Sequence, residues 1–153
     1  MDYITDIISR YEADLQKVKQ DGRALNYVKQ QTPELCLAAV KRNGCAILFV
    51  KEQTPEICLA AVKNNGYALV FVKEQTYELC LAAVKQTGYS LQFVKEQTPE
   101  ICLAAVKEYG CAILFVEEQT YELCLESVKK HGYALQFVKD PLLKAQIKLE
   151  LQL

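Results

Sequence analysis

Apolar and polar positions along this chain repeat with one long period. From Gln31 to Asp140 each block opens on a glutamine-threonine pair and runs through an apolar stretch such as Leu35-Cys36-Leu37-Ala38-Ala39-Val40. It then breaks at a polar pair before a glycine, and closes on a second apolar stretch such as Cys45-Ala46-Ile47-Leu48-Phe49-Val50. Gln31, Gln53, Gln75, Gln97 and Gln119 open five copies, and Gly44, Gly66, Gly88, Gly110 and Gly132 mark their middles, a spacing of 22 residues. A degenerate sixth copy precedes them, with Val18, Gly22, Ala24, Leu25 and Val28 in the same register. A fixed period of about 20–50 residues is the signature of a stacked repeat array.

The first segment of each copy predicts a helix. Thr32 can cap it, Pro33 suits its first position, and Glu34 complements the positive end of the dipole. Its middle is apolar on every side, the pattern of a buried rather than a half-exposed helix. Lys41 sits near its end, and Asn43-Gly44 reads as a helix stop. The second segment, Cys45 to Glu52, is a short apolar run open to two readings. A two-turn helix is favoured by alanine at its second position and by the direct run into the next capping threonine. A strand is favoured by the alternation of Tyr89, Leu91 and Phe93 with Ser90 and Gln92. The helical reading is preferred and makes the fold an all-α solenoid of six two-helix repeats. The strand reading makes it an α/β solenoid in the plan of a leucine-rich repeat.

The ends differ from the middle. Ile4, Ile7, Ile8, Tyr11, Leu15 and Val18 follow helical spacing, with Asp2 as a candidate cap. In this first copy Asp14, Gln16 and Lys17 replace the cysteine and two alanines, the polar face that an array needs where it meets water. Residues 1–30 therefore read as an N-terminal cap with a degenerate repeat, and 31–140 as five full repeats. Residues 141–153 read as a C-terminal capping helix, opened by Asp140-Pro141 and carrying Leu143, Ile147 and Leu151 four apart, which covers the last repeat. The whole of 1–153 is one repeat domain in this reading.

The motif E-L/I-C-L-A-A-V-K-x-x-G-x-A-L-x-F-V-K-E-Q-T, seen nearly throughout five copies, resembles a tandem-repeat family catalogued as a domain of unknown function. The resemblance covers about residues 12–140. It implies a small helical repeat in an array protein, with no assigned enzymatic activity and no catalytic motif to carry over.

Composition narrows the function classes. The chain is 51% hydrophobic and 24% charged with a net charge of −1, a globular balance. No lysine–arginine cluster points to nucleic acid or an anionic membrane, and no run approaches a membrane span. The N-terminus carries acids where a signal peptide starts basic. These features lead to the expectation of a soluble, cytoplasmic protein with reduced cysteines.

Five of the seven cysteines form a ladder: Cys36, Cys58, Cys80, Cys102 and Cys124. Successive layers about 10 Å apart cannot share one zinc ion at about 2.3 Å, nor a disulfide needing Cα atoms within about 7 Å. The ladder therefore reads as small core residues, with cuprous ions as the metal left open. Cys45 and Cys111 stand where other copies have tyrosine, which suggests a partly exposed position. His131, the one histidine, has no evident acid or nucleophile beside it and reads as a surface residue. Glu34, Glu56, Glu78, Glu100 and Glu122 recur as helix-start acids rather than as a catalytic pair. No cofactor is expected.

Against this frame a few positions vary. One set precedes each glycine: Arg42-Asn43, Asn64-Asn65, Gln86-Thr87, Glu108-Tyr109 and Lys130-His131. Another is Leu48, Val70, Gln92, Leu114 and Gln136. A third exchanges Pro33, Pro55 and Pro99 for Tyr77 and Tyr121. Repeat proteins keep a frame and vary the residues that line one surface. The expected function is a non-catalytic scaffold for a protein partner, with Arg42, Asn43, Asn64, Asn65, Tyr67, Tyr77, Gln86, Tyr89, Glu108, Tyr109, Tyr121, Lys130, His131 and Tyr133 as contact candidates. Self-association through the repeat ends is a further expectation. The alternatives are a thiol-based metal array on the cysteine ladder, or an engineered, consensus-like sequence.

Overall fold

In the computed structural model, residues 3–153 are described, and they form two compact units, one ending at Glu74 and the other running from Gln75 to Leu153. Asp2, the candidate first cap, lies outside the described residues. The fold is an all-α solenoid: α-helices alternate with short 3₁₀ helices, and no strand occurs among the described residues. Unit 1 holds α1 (Tyr3–Gln20), η1 (Gly22–Tyr27), α2 (Pro33–Arg42), η2 (Gly44–Phe49), α3 (Pro55–Asn64) and η3 (Gly66–Phe71), where η marks the 3₁₀ helices. Unit 2 holds α4 (Tyr77–Gln86), η4 (Gly88–Phe93), α5 (Pro99–Glu108), η5 (Gly110–Phe115), α6 (Tyr121–Lys130), η6 (Gly132–Phe137) and α7 (Pro141–Leu151).

The α-helices start as their sequence dictates. Thr32 Oγ1 accepts the Leu35 N–H at 3.3 Å, and Thr54, Thr76, Thr98 and Thr120 repeat the bond. Each helix buries one face only. Leu35, Cys36, Ala39 and Val40 are buried while Leu37 and Ala38 are half-exposed, so the all-round burial expected of this segment is not found. The reason is position: each layer's α-helix packs on neighbouring layers and on its own 3₁₀ helix, which leaves one side outward.

The second segment is helical but of the 3₁₀ kind. It begins at the glycine and ends at Phe49, short of Lys51-Glu52. Bonds three residues apart, Ala46 N–H to the Asn43 carbonyl at 2.9 Å and Val50 N–H to Ile47 at 3.0 Å, give three residues per turn. Residues three apart therefore eclipse. Gly44, Ile47 and Val50 form one buried row, Ala46 and the half-buried Phe49 a second, and Cys45 with Leu48 an outward row. In η4 the same rows pair Tyr89 with Gln92 and bury Ser90 beside Leu91, so the apparent alternation from Tyr89 to Phe93 does not follow the burial.

The glycines are not left-handed helix stops. No glycine among the described residues has a positive φ, and Asn43, after α2, is extended at φ −149°. Glycine is required by a close approach. A Cβ on Gly44 would lie 2.5 Å from the Ala61 carbonyl oxygen and 3.0 Å from Asn65 Cβ of the following repeat. Gly22, Gly88 and Gly110 face the same obstruction at 2.4–2.6 Å. The 3₁₀ helices η1, η2, η4 and η5 thus begin against the last turn of the next α-helix.

A second device joins the layers. Gln31 Nε2 donates to the Phe49 carbonyl of its own repeat at 2.8 Å and to the Leu25 carbonyl of the preceding one at 3.4 Å, while its Oε1 accepts the Lys51 N–H at 3.0 Å. Gln53, Gln75, Gln97 and Gln119 make the same two bonds within their own repeats. The repeated glutamine is an inter-layer clamp that satisfies backbone groups just past each 3₁₀ helix.

The caps behave unequally. α1 runs 18 residues against 10 for α2, so Ile4, Ile7 and Ile8 project into solvent and only Val18 is buried. α7 packs on α6 through Ile147, with Glu150 accepting from the Tyr121 hydroxyl. It covers the last repeat only in part, since nothing lies within 4 Å of a Cβ on Gly132.

Candidate functional site

The 3₁₀ helices bring two of the variable sets together. The residue after each glycine and the residue three further on share the outward row: Cys45 with Leu48, Tyr67 with Val70, Tyr89 with Gln92, Tyr133 with Gln136. Gln92 Nε2 donates back to the Tyr89 carbonyl at 3.0 Å, and Gln136 to Tyr133 at 3.3 Å. The row is markedly apolar: Leu48 is 55% exposed, Val70 47%, Leu114 46% and Tyr133 71%.

The pre-glycine residues meet this row from the next layer. In unit 1, Asn65 donates through Nδ2 to Cys45 Sγ at 3.4 Å, and its Oδ1 caps the Tyr67 N–H at 3.0 Å. In unit 2, Tyr89 lies 4.6 Å from Tyr109 by ring centroids, and Tyr109 lies 4.9 Å from His131. Phe115 stands edge-on to Tyr89 at 5.7 Å, as Phe137 does to Tyr133. Unit 2 therefore carries a run of touching rings along its outer edge.

Several candidates also have frame duties. Asn64 Oδ1 accepts the Gly44 N–H at 2.7 Å while its Nδ2 donates to the Lys41 carbonyl at 2.9 Å. Arg42 Nε donates to the Gln20 carbonyl at 3.1 Å, and Asn43 caps Cys45. His131 is half-buried rather than a surface residue: its Nδ1 accepts the Gly110 N–H at 3.1 Å, which places the ring proton of neutral histidine on Nε2. Gln86, Glu108 and Lys130 are exposed at the same edge. Cys111 is buried where Cys45 is half-exposed, against the partial exposure expected of both.

Tyr77 and Tyr121 are not part of this cluster. They occupy the first position of α4 and α6, about 15 Å from the pre-glycine end at 1.5 Å per residue over ten residues. Tyr121 is held by Glu150, a hydrogen bond that raises its hydroxyl above the usual tyrosine range, and Tyr11 is raised in the same way by Glu34.

The cysteine ladder is buried and reduced, each thiol beside its own repeat's glutamine at 3.5–3.9 Å. Burial pushes all five thiols up, so they are protonated near neutral pH and poor metal ligands as they stand. No set of three or more His, Cys, Asp or Glu converges on a metal position among the described residues.

With this architecture in place, the comparisons are direct. The family described as Domain of unknown function (DUF4116) matches residues 32–76, 54–98 and 76–120. The chain belongs to this family. Each DUF4116 match runs from one capping threonine to the threonine two repeats later, so the family unit is two of the layers described above. Neither curated proteins nor solved structures return a match to the chain. No helix among the described residues is long and apolar enough to cross a membrane.

The sequence reading missed the glutamine clamp and the close-approach role of glycine. Both signals were present, since glutamine and glycine are the least varied residues of the motif. Neither has a local explanation, because the glycine meets the next layer and the glutamine bonds backbone 18 and 20 residues further along its own repeat.

Proposed function

We propose that this DUF4116 chain is a non-catalytic repeat scaffold that binds a protein partner through the outward row of its 3₁₀ helices. The supporting observation is that large apolar and aromatic side chains are exposed where the copies differ, on a frame that hardly changes. Leu48, Val70, Leu114, Tyr109 and Tyr133 are all exposed, and the tyrosines offer the rigid, amphipathic contact area that dominates protein interfaces. The row changes character between units, from Cys45, Leu48 and Val70 to the ring run of Tyr89, Tyr109 and His131. A scaffold that recognises one partner along its length has use for such variation.

Seven free cysteines, mostly buried, support a reducing and hence intracellular compartment. The exposed Ile4, Ile7 and Ile8 on α1 and Leu142 and Leu149 on α7 leave self-association at the ends as a secondary part of this proposal.

Photo-crosslinking tests the assignment. A benzophenone side chain placed at position 114 or 136 should trap a partner in cell extract, and one at position 37 or 81, on the α-helix side, should not. Equal trapping from both sides would remove the 3₁₀ row as the contact surface.

A further inference from the structure

Between α5 and α6, at the end where these helices begin, lies a groove of about 430 Å³ with an apolar floor and an acidic rim. Pro99, Leu103 and Leu123 line the floor, and Glu117, Glu118 and Glu122 stand around it, all three exposed. No lysine or arginine lines it. This is a departure from the repeat. Glu117 occupies the position held by Lys51, Lys73, Lys95 and Lys139 in the other full copies. There the ammonium folds back onto the preceding layer: Lys51 Nζ donates to the Lys29 carbonyl at 3.0 Å, Lys73 to Lys51 at 3.2 Å, and Lys139 to Val116 at 2.8 Å. The fourth full copy has exchanged that cation for an anion.

We propose that this groove docks a lysine- or arginine-bearing segment of a partner protein. The cationic head sits among Glu117, Glu118 and Glu122, and the aliphatic stem lies on Leu103 and Leu123. Two observations select this occupant. Every charged side chain lining the groove is anionic, beside the apolar Pro99, Leu103 and Leu123, which complements a side chain that combines a long methylene stem with a terminal charge. The three carboxylates do not converge on a point that could hold a metal ion, so the arrangement suits an extended organic cation. The floor is fixed from below: Gln97 accepts the Glu117 N–H at 3.1 Å and lies 3.5 Å from Cys102 Sγ. Burial, and then the Glu117 carboxylate, push that Cys102 thiol up. The groove stands about 15 Å from the ring run, the length of α5, and its assignment does not depend on that surface.

The test is fluorescence anisotropy with a fluorescein-labelled Ala-Leu-Arg-Lys-Leu-Ala peptide. Glu117→Lys restores the residue that four other copies carry, so the variant folds, as far-UV circular dichroism will verify. Glu108→Lys makes the same charge change at the far end of α5. The expected result is binding to the native chain that weakens about tenfold or more in Glu117→Lys and less than about threefold in Glu108→Lys. A peptide with norleucine at both basic positions should not bind. Failure of the basic peptide to bind the native chain would overturn the proposal, as would equal loss in the two variants. Displacement by spermidine at the same concentration as unlabelled peptide would also overturn it, because the site would then take a free polyamine.

Discussion

Adding one methyl group at two equivalent glycines should have opposite effects on stability. At Gly110 a Cβ would stand 2.6 Å from the Ser127 carbonyl oxygen, 2.9 Å from His131 Nδ1 and 3.2 Å from His131 Cβ. The first obstacle is backbone, so α6 must move away from η5 by more than half an ångström. Overpacking of this kind costs about 1–3 kcal/mol. The shift also loosens two inter-layer bonds, Gly110 N–H to His131 Nδ1 at 3.1 Å and Ser127 Oγ–H to the Gly110 carbonyl at 2.8 Å. Each contributes about 0.5–1.5 kcal/mol. Against this, alanine restricts the unfolded chain and returns about 0.4–1 kcal/mol. Gly110→Ala should therefore destabilise by about 2–4 kcal/mol. Gly132 has the same local backbone with nothing within 4 Å, so Gly132→Ala keeps only the gain, about 0.4–1 kcal/mol. Urea titrations followed at 222 nm compare the midpoints. If glycine were required as a local helix stop, both variants would lose stability alike. That result, or a Gly110→Ala midpoint equal to the native one, would refute the close-approach argument.

Other outcomes follow from single side chains. Ser90 is fully buried with its hydroxyl unpartnered, at a position where Ala46, Ala68, Ala112 and Ala134 stand in the other full copies, so Ser90→Ala should raise stability by about 1 kcal/mol in a thermal melt. Gln97→Leu removes the clamp on the Phe115 carbonyl and the Glu117 N–H, and should lower stability by about 2–4 kcal/mol, whereas a merely exposed glutamine would lose almost nothing. Native-state thiol titration should find Cys45 fast and the six buried thiols slow; a second fast thiol would contradict the packing. The ladder thiols are raised in the folded state, so their contribution is complete below the unfolded thiol range near 8.5 and is lost as pH rises beyond it. Urea midpoints should accordingly fall between pH 8 and pH 10 and recover when the pH is lowered.

How much of this was legible without coordinates depended on whether a residue acts within its own layer. Thr32, Pro33 and Glu34 serve the helix they begin, and the sequence pattern located that helix to the residue. The all-α class and the repeat boundaries followed from the same local signals. The six residues from Gly44 to Phe49 were harder, because a 3₁₀ helix of two turns that buries two of its three rows is too short for its apolar period to distinguish it from a strand. Gly44 was misread because its partner, the Ala61 carbonyl, belongs to the next layer, and Gln31 was passed over because its partners are the Phe49 carbonyl 18 residues on and the Leu25 carbonyl of the layer before. The site was half visible. Variation pointed to the positions on either side of each glycine, and these do meet across layers, as Tyr89 and Tyr109 do. Variation alone could not say that Asn64 and His131 also bond the backbone of the layer before, nor that Tyr77 and Tyr121 lie at the far end of the helix. Glu117 showed as a single departure from lysine, which acquires meaning only beside the groove it borders.

The most direct test of the account measures affinity for the partner trapped at position 114 by isothermal titration calorimetry. The native chain is compared with a variant carrying Leu114→Ser, Tyr109→Asn and Tyr133→Ser, all on exposed positions of the 3₁₀ edge. Loss of contact residues of this kind costs about 2 kcal/mol or more at each hot spot, so the account predicts at least about a hundredfold weaker binding with the urea midpoint nearly unchanged. Native affinity in a folded variant would contradict it.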